Sequence, residues 1–457
     1  MQQNLQQVLQ KGSFVQNFAI TMSGSVAVTA IGFLLTPVMS RLYPPAAYGQ
    51  FAVFNSLASN LAMVSTLAYT TAFLQPKEEE KFHSLVQLTV ALTFGICALL
   101  TVGLVLAGPF LIHYLHVEAL GKLLYTLPVL LLLFNLNNIM SSWYMREKAF
   151  LKRASVEVTT ALVGRGFTIG YGWWAGGHVS GLLLGEFFNR LTSTVSLLVG
   201  SIRHSIGMLW RTFSWSRVRA IALEYKQFPM YFLPASFVSA LSAQLPVFAL
   251  TTGFGSTAVG LYSFSVGLLE LPITLIGNAI MPVFWQKATE THHNDPERLP
   301  VIMVSLYYKL LYLGLLPFGI ITVYGDVLFK FVFGARWEMA GVYTAYLGYY
   351  YVFKLMSQAT APIYTILNKQ GFVLWTNVLL LAVRAAALGI GLWAHDLNLA
   401  LLLFGLGSLL ITFIIDLQVL ALLKLPVWRI GLRTVAIVGT TLVLLKGIRI
   451  GAEMLLR

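Results

Sequence analysis

The sequence predicts an all-α polytopic membrane protein of about twelve transmembrane helices, built as two similar six-helix lobes. Three observations carry that expectation. The 457 residues are 57% hydrophobic and only 10% charged, with a mean hydropathy of +0.76, whereas a soluble domain carries about 25% charged residues. The apolar residues come in blocks long enough to cross a hydrocarbon core of about 30 Å. No water in such a core satisfies backbone groups, so each block is a helix or part of a closed barrel, and these blocks lack the alternation of barrel strands. Third, the two halves of the chain repeat one another, as set out below.

In chain order the expected spans are 14–40, 47–74, 84–112, 119–145, 154–175 and 177–202, then 228–252, 258–286, 301–333, 339–366, 371–394 and 398–423. The first follows a polar, Gln-rich stretch and shows no small-residue cleavage site, so it reads as a retained span rather than a removable signal. A last stretch at 433–449 is apolar for only about a dozen residues before Lys446 and Arg449, which suggests a short or interfacial helix in a tail covering 425–457. The implied domains are an N-terminal lobe (1–202), a linker (203–227), a C-terminal lobe (228–424) and that tail.

The loops between these spans sort by charge. One alternating set carries Lys11; Lys77 and Lys81; Arg146, Lys148, Lys152 and Arg153; Arg203, Arg211, Arg217, Arg219 and Lys226; Lys287 and Arg298; Lys369; and Lys424, Arg429 and Arg433, 18 basic residues in all. The other set has four: Arg41, Lys122, Lys330 and Arg336. The positive-inside rule then places the first set, and both termini, in the cytoplasm of a cell whose inner membrane holds the chain. It also accounts for most of the net charge of +13 without any nucleic acid. The outward loops 175–178, 253–257 and 395–397 leave no room for an external domain. The linker mixes Trp210, Phe213 and Trp215 with Arg211, Arg217 and Arg219, which suits a helix lying in the cytoplasmic interface. The single cysteine, Cys97, lies in an apolar block and says nothing about redox compartment.

The repeat is clearest between the fifth and eleventh spans. At an offset of 219 residues Arg165, Gly170, Gly172, Trp174 and Ala175 align with Arg384, Gly389, Gly391, Trp393 and Ala394. At an offset of 211, Ala47, Gly49 and Phe51 of the second span match Ala258, Gly260 and Tyr262 of the eighth. Both pair helix n with helix n+6. An even number of spans gives both halves the same membrane orientation, the parallel-repeat arrangement of some secondary transporters.

Ionisable side chains at mid-span cost at least about 2.5–3.5 kcal/mol each on insertion scales and usually meet a partner or a polar cavity. Arg165 and Arg384 lie ten or more residues from either end of their spans, too far for a guanidinium to snorkel to an interface. Neither they nor Lys354 has an acidic neighbour on its own helix, which points to a cationic central cavity suited to phosphate or carboxylate. Arg190 and Arg41 are further candidates for that cavity. Glu186 and Arg190, spaced i,i+4, can neutralise each other. Glu186, Glu270 and Asp416 are candidates for ion coupling; Glu270 can equally serve packing, and Asp416 can pair with a lysine near the cytoplasmic edge. His292-His293-Asn294-Asp295 lies in a polar loop without a metal motif, and Gly253-Phe-Gly255 lacks the strand–helix setting of a phosphate loop. No catalytic residue, metal site or cofactor is expected.

Three stretches carry a family resemblance: Ser40-Arg41-Leu42-Tyr43 with Tyr48-Gly49; Gly260-Leu-Tyr262-Ser-Phe with Leu271-Pro272-Ile-Thr-Leu-Ile-Gly277 and Val283-Phe284; and Phe333-Gly334-Ala-Arg-Trp337-Glu-Met-Ala340-Gly341-Val-Tyr343. The chain resembles the oligosaccharide-lipid flippases of the multidrug/oligosaccharidyl-lipid/polysaccharide exporter superfamily, the translocases of O-antigen and other polysaccharide repeat units. The resemblance implies a MATE-like pair of six-helix lobes around a cavity open to one side at a time. It implies an undecaprenyl-pyrophosphate-linked glycan as cargo, and a polysaccharide polymerase and chain-length regulator as partners. It supplies no essential residue, so the cationic candidates rest on the charge argument. Competing readings are a cation-coupled drug antiporter of the same superfamily, which predicts a carboxylate-dominated cavity, a membrane glycosyltransferase or polymerase, which needs larger outer loops and paired acids, and a non-transporting scaffold of the assembly complex.

Overall fold

In the computed structural model, residues 14–114, 118, 120–199, 207, 213–367 and 369–455 are described, and no strand occurs among them. Helices occupy all twelve expected places. They are α1 (Phe14–Leu42), α2 (Pro45–Ser65), α3 (Glu79–Tyr114), α4 (Leu127–Arg146), α5 (Phe150–Ala175), α6 (Val179–Leu198), a short α7 (Trp215–Glu224), α8 (Leu233–Asn294), α9 (Leu299–Phe333), α10 (Glu338–Ile366), α11 (Gln370–Trp393), α12 (Leu397–Leu422) and α13 (Val427–Leu455). The 62-residue α8 supplies two spans because Gly255, at φ 78° and ψ 177°, breaks it. Only glycine adopts that backbone readily. We call the parts α8a (233–254) and α8b (256–294).

Eight helical stretches among the described residues are by themselves long and apolar enough to cross a membrane. Of the helices at expected spans, those outside these stretches are α2, α5, α6 and α10, with 21, 26, 20 and 29 residues. At 1.5 Å per residue each still reaches about 30 Å or more. Their lower hydropathy comes from interior polar groups, including Ser56 and Ser65 on α2, Arg165 on α5, Glu186 and Arg190 on α6, and Lys354 on α10.

The chain divides into a first compact unit up to Leu241 and a second from Ser242. In the first, α5 and α6 cross where small residues let the backbones meet. A Cβ on Gly185 would stand 1.8 Å from Thr168 Oγ1 and 2.9 Å from the Gly164 carbonyl. Tyr43, fully buried at the end of α1, donates to the Thr168 carbonyl at 2.6 Å and fills the space beside Gly172 and Gly181. The helix expected within the linker is α7; of the linker residues named above, Arg203, Trp210 and Arg211 lie outside the described residues, as does Lys11. Val218 and Ile221 of α7 are buried in a cluster with Phe82, Trp143, Tyr144 and Phe228, whereas Trp215 and Leu223 are exposed. Lys81 meets Glu224 at 3.0 Å, Arg217 pairs with Glu80, and Tyr69 donates to the Ala222 carbonyl at 3.0 Å. The helix is thus both amphipathic and fastened to the ends of α3 and α4.

In the second unit α9 and α10 approach at Gly325 and Gly341, where a Cβ on Gly341 would stand 2.1 Å from the Gly325 oxygen. Phe264 stacks on the fully buried Trp337 at 3.9 Å, and Ser265 donates to the Ala340 carbonyl at 2.6 Å, tying α8b to the start of α10. Asp396 caps α12 by accepting from the backbone N–H groups of Asn398 and Leu399 at 2.8 and 3.1 Å. The repeat keeps its geometry at one telling position. Trp174 and Trp393 are 86% and 85% exposed, each at the end of its helix, as suits an aromatic belt at a membrane surface.

The expectation of a short last helix needs correction. Helix α13 has 29 residues and is itself long and apolar enough to cross. It runs beside α9 over most of that helix's length. Arg433 lies over the Tyr308 ring at 4.9 Å, Tyr324 donates to the Leu445 carbonyl at 3.2 Å, and Arg449 forks onto Asp326 at 2.7 and 3.0 Å. The charge that seemed to end the apolar run is compensated there, and the helix continues past it.

Candidate cationic site

Backbone register places the interior charges. On α6, Glu186 and Arg190 are one turn apart, and Arg190 Nε donates to Glu186 Oε1 at 2.6 Å. The Arg190 guanidinium also lies over the Phe134 ring of α4 at 4.5 Å. This pair is not sealed in: its side chains are 27% and 25% exposed. In the second unit Lys354 of α10 pairs with Glu270 of α8b and lies 5.2 Å from the Tyr351 ring, with 33% and 34% of the two charged side chains exposed. Each of these two ion pairs is half open and has an aromatic ring beside its cation.

The two repeat arginines differ. Arg384 on α11 is only 8% exposed. Its Nε donates to Ser408 Oγ of α12 at 3.1 Å, Nη1 to Ser242 Oγ of α8a at 3.2 Å, and Nη2 to the Tyr350 hydroxyl of α10 at 2.8 Å. The rings of Phe404 and Tyr350 lie 5.2 and 5.7 Å away. Every partner is neutral, so the charge is solvated by the protein but not cancelled. Arg165 on α5 is partly exposed; its Nη1 meets the Met39 thioether at 3.1 Å, and a Cβ on Gly32 would lie 3.5 Å from its Nη2. Among the described residues it forms no ion pair. Arg41 is exposed at the end of α1.

Asp416 is fully buried on α12 and meets no lysine among the described residues. It accepts from Ser357 and Thr360 of α10 instead. The structure thus brings together Glu186 with Arg190 and Glu270 with Lys354, and leaves Arg165, Arg384 and Asp416 without countercharge among the described residues. Sequence reasoning did not single out the groups that complete these sites: Tyr350, Ser408 and Ser242 around Arg384, and Ser357 with Thr360 at Asp416. Their signal is faint but present. Tyr350, Lys354 and Ser357 recur at three- and four-residue spacing, one face of α10.

Comparison with known proteins follows this geometry. A family described as "Polysaccharide biosynthesis protein" matches residues 38–341. The succinoglycan biosynthesis transport protein ExoT of Rhizobium meliloti (strain 1021) is 21% identical over 332 residues, 71% of this chain and 63% of that protein's length. The chain therefore spans less than two thirds of that relative. Among solved structures, the lipid II flippase MurJ in an inward closed conformation has a TM-score of 0.69 at 14% identity, covering 95% of this chain and 93% of that one. The inward-facing conformation of a multidrug resistance MATE family transporter has a TM-score of 0.65 at 12% identity, covering 92% and 97%. The fold is the MATE-like polytopic one.

Proposed function

We propose that this chain, which belongs to the polysaccharide biosynthesis protein family, is a flippase that carries an undecaprenyl-pyrophosphate-linked glycan across the cytoplasmic membrane. The observation that carries the reading is Arg165, a partly exposed guanidinium at mid-membrane with no ion pair among the described residues. A pyrophosphate supplies the bidentate anion that such a group lacks. Within the same unit, the half-open pair of Arg190 with Glu186 offers a second guanidinium that can exchange its carboxylate for a phosphate oxygen. The relatives agree in kind: ExoT is named as a transport protein of succinoglycan biosynthesis and MurJ as a lipid II flippase.

In this reading the two halves alternate in exposing the site, the head group crosses in polar surroundings, and the polyprenyl tail stays in lipid. A polymerase and a chain-length regulator take the cargo on the far side. The drug-antiporter reading loses ground because Glu186 and Glu270 are both committed to cations. The basic loops mark the cytoplasmic face, and α13 carries residue 455 to the opposite one.

The test is export of surface glycan in cells whose own copy is replaced by Arg165→Ala or Arg165→Lys. A hydrogen-bonded charge contributes about 1.5–3 kcal/mol, so alanine is expected to lower export about tenfold to a hundredfold, with lysine intermediate. Normal export by a correctly inserted alanine variant would overturn the cationic-site reading.

A further inference from the structure

Asp416 lies six residues before the end of α12 at Leu422, with none of its surface exposed. Ser357 Oγ approaches its two oxygens at 3.0 and 3.1 Å, and Thr360 Oγ1 approaches Oδ1 at 2.6 Å. Tyr307 of α9 lies within electrostatic reach of Asp416 and beside Thr434 of α13. Both are fully buried, and neither hydroxyl has a hydrogen bond of acceptable geometry. Tyr307 and Tyr364 both lie within electrostatic reach of the carboxylate, and the Tyr364 hydroxyl donates to the Ile415 carbonyl at 3.4 Å. The charges on these helices are engaged elsewhere or exposed. Lys354 pairs with Glu270, Lys330 with Glu338, Arg449 with Asp326 and Glu453, and Arg433 lies over Tyr308, while Lys309, Lys424, Arg429 and Lys446 are exposed.

A buried carboxylate without a cation is expensive in a membrane-embedded bundle unless something neutralises it. The hydroxyls show what does. Ser357 Oγ is also 3.0 Å from the Phe353 carbonyl, and Thr360 Oγ1 is 3.1 Å from the Ser357 carbonyl. Each hydroxyl has one proton and two acceptors in reach. When Asp416 is ionised both protons point at it. When Asp416 is protonated, its own O–H donates to one hydroxyl oxygen, and that hydroxyl turns back to its helix carbonyl. The same oxygens satisfy both states. The 2.6 Å contact has the length of an O–H···O⁻ hydrogen bond and leaves no room for a metal cation between its atoms.

We propose that Asp416 is a proton-binding site, with Ser357 and Thr360 as its two-state partners. Uptake forms one O–H bond on the carboxylate and release breaks it; nothing is oxidised or reduced. Protonation removes one negative charge from the junction of α9, α10, α12 and α13 and loosens the hydroxyl clasp of α10 on α12. The site stands independently of the cargo.

Infrared difference spectroscopy on the full chain in lipid nanodiscs tests this, titrating pH in sodium chloride and in choline chloride. The wild type is expected to show a carboxylic C=O band that titrates with pH, equal in both salts and missing from Asp416→Asn. Thr360→Val keeps the acid but removes its shortest donor to the ionised form, so the band shifts and its midpoint moves to higher pH. That variant also decides the matter if Asp416→Asn fails to insert. No titrating band in the wild type, no change in Thr360→Val, or a band that sodium abolishes at constant pH would each overturn the proposal, the last in favour of an alkali-cation site. Export is not the readout, so failure here is distinct from failure of the flippase reading.

Discussion

Arg165 and Arg384 hold the same register of the repeat yet meet different surroundings. Arg384 is wrapped by three hydroxyls and two aromatic faces, whereas Arg165 meets the Met39 thioether and lies within electrostatic reach of Tyr48. In the second unit that position holds helices together through its hydroxyl partners. Tyr350→Phe tests the structural half of this contrast. It leaves the ring in place but takes the acceptor from Arg384 Nη2, a loss of about 1–3 kcal/mol for a buried unsatisfied donor. Thermal unfolding of the detergent-solubilised variant should begin at a lower temperature than the wild type. An unchanged transition would mean that the guanidinium finds a substitute partner.

Among the elements, the stretches that carry the family resemblance act as joints. Tyr43 locks α1 to α5, and Phe264 from one stretch stacks on Trp337 from another. Gly341, in that same third stretch, meets Gly325 backbone to backbone. Helices in lipid gain little from hydrophobic association and depend on such close contacts. Gly341→Ala places a Cβ 2.1 Å from the Gly325 oxygen and 2.4 Å from its carbon, an overpacking expected to cost about 1–3 kcal/mol. Gly439→Ala on α13, with nothing within 4 Å of the added carbon, is the matched control. Comparing unfolding temperature and yield of inserted protein for the two checks the point; equal behaviour would refute it.

At the scale of the whole molecule, the twelve expected helices are legible because apolar length is a local property of the sequence. Helix α13 is less so, because Lys446 and Arg449 interrupt its apolar run and the partner of Arg449, Asp326, lies 123 residues away. The same limit applies at the candidate sites. The charges at Arg165, Arg384 and Asp416 stand out against an apolar background, but whether each meets an acid, a hydroxyl or a thioether is set by helices far apart in sequence. Thr360 and Asp416, for instance, are 56 residues apart. Whether α13 crosses decides on which side residue 455 lies, and this can be checked directly. Cys97 is the chain's single cysteine and is buried, so new cysteines report with little background. On intact cells an impermeant maleimide should label Leu455→Cys, and should label Lys424→Cys only after permeabilisation. Equal accessibility of the two would show that α13 does not cross.

The fork between Arg449 and Asp326 also has a consequence for the order of synthesis. Helix α9 leaves the ribosome with its carboxylate unanswered, and α10, α11 and α12 are made before the matching guanidinium appears. Asp326 must wait near the end of its helix until the last segment arrives, so that pair is among the final contacts made during biogenesis. A nascent chain stopped short of α13 would carry an acid without its partner and an uncovered flank of α9.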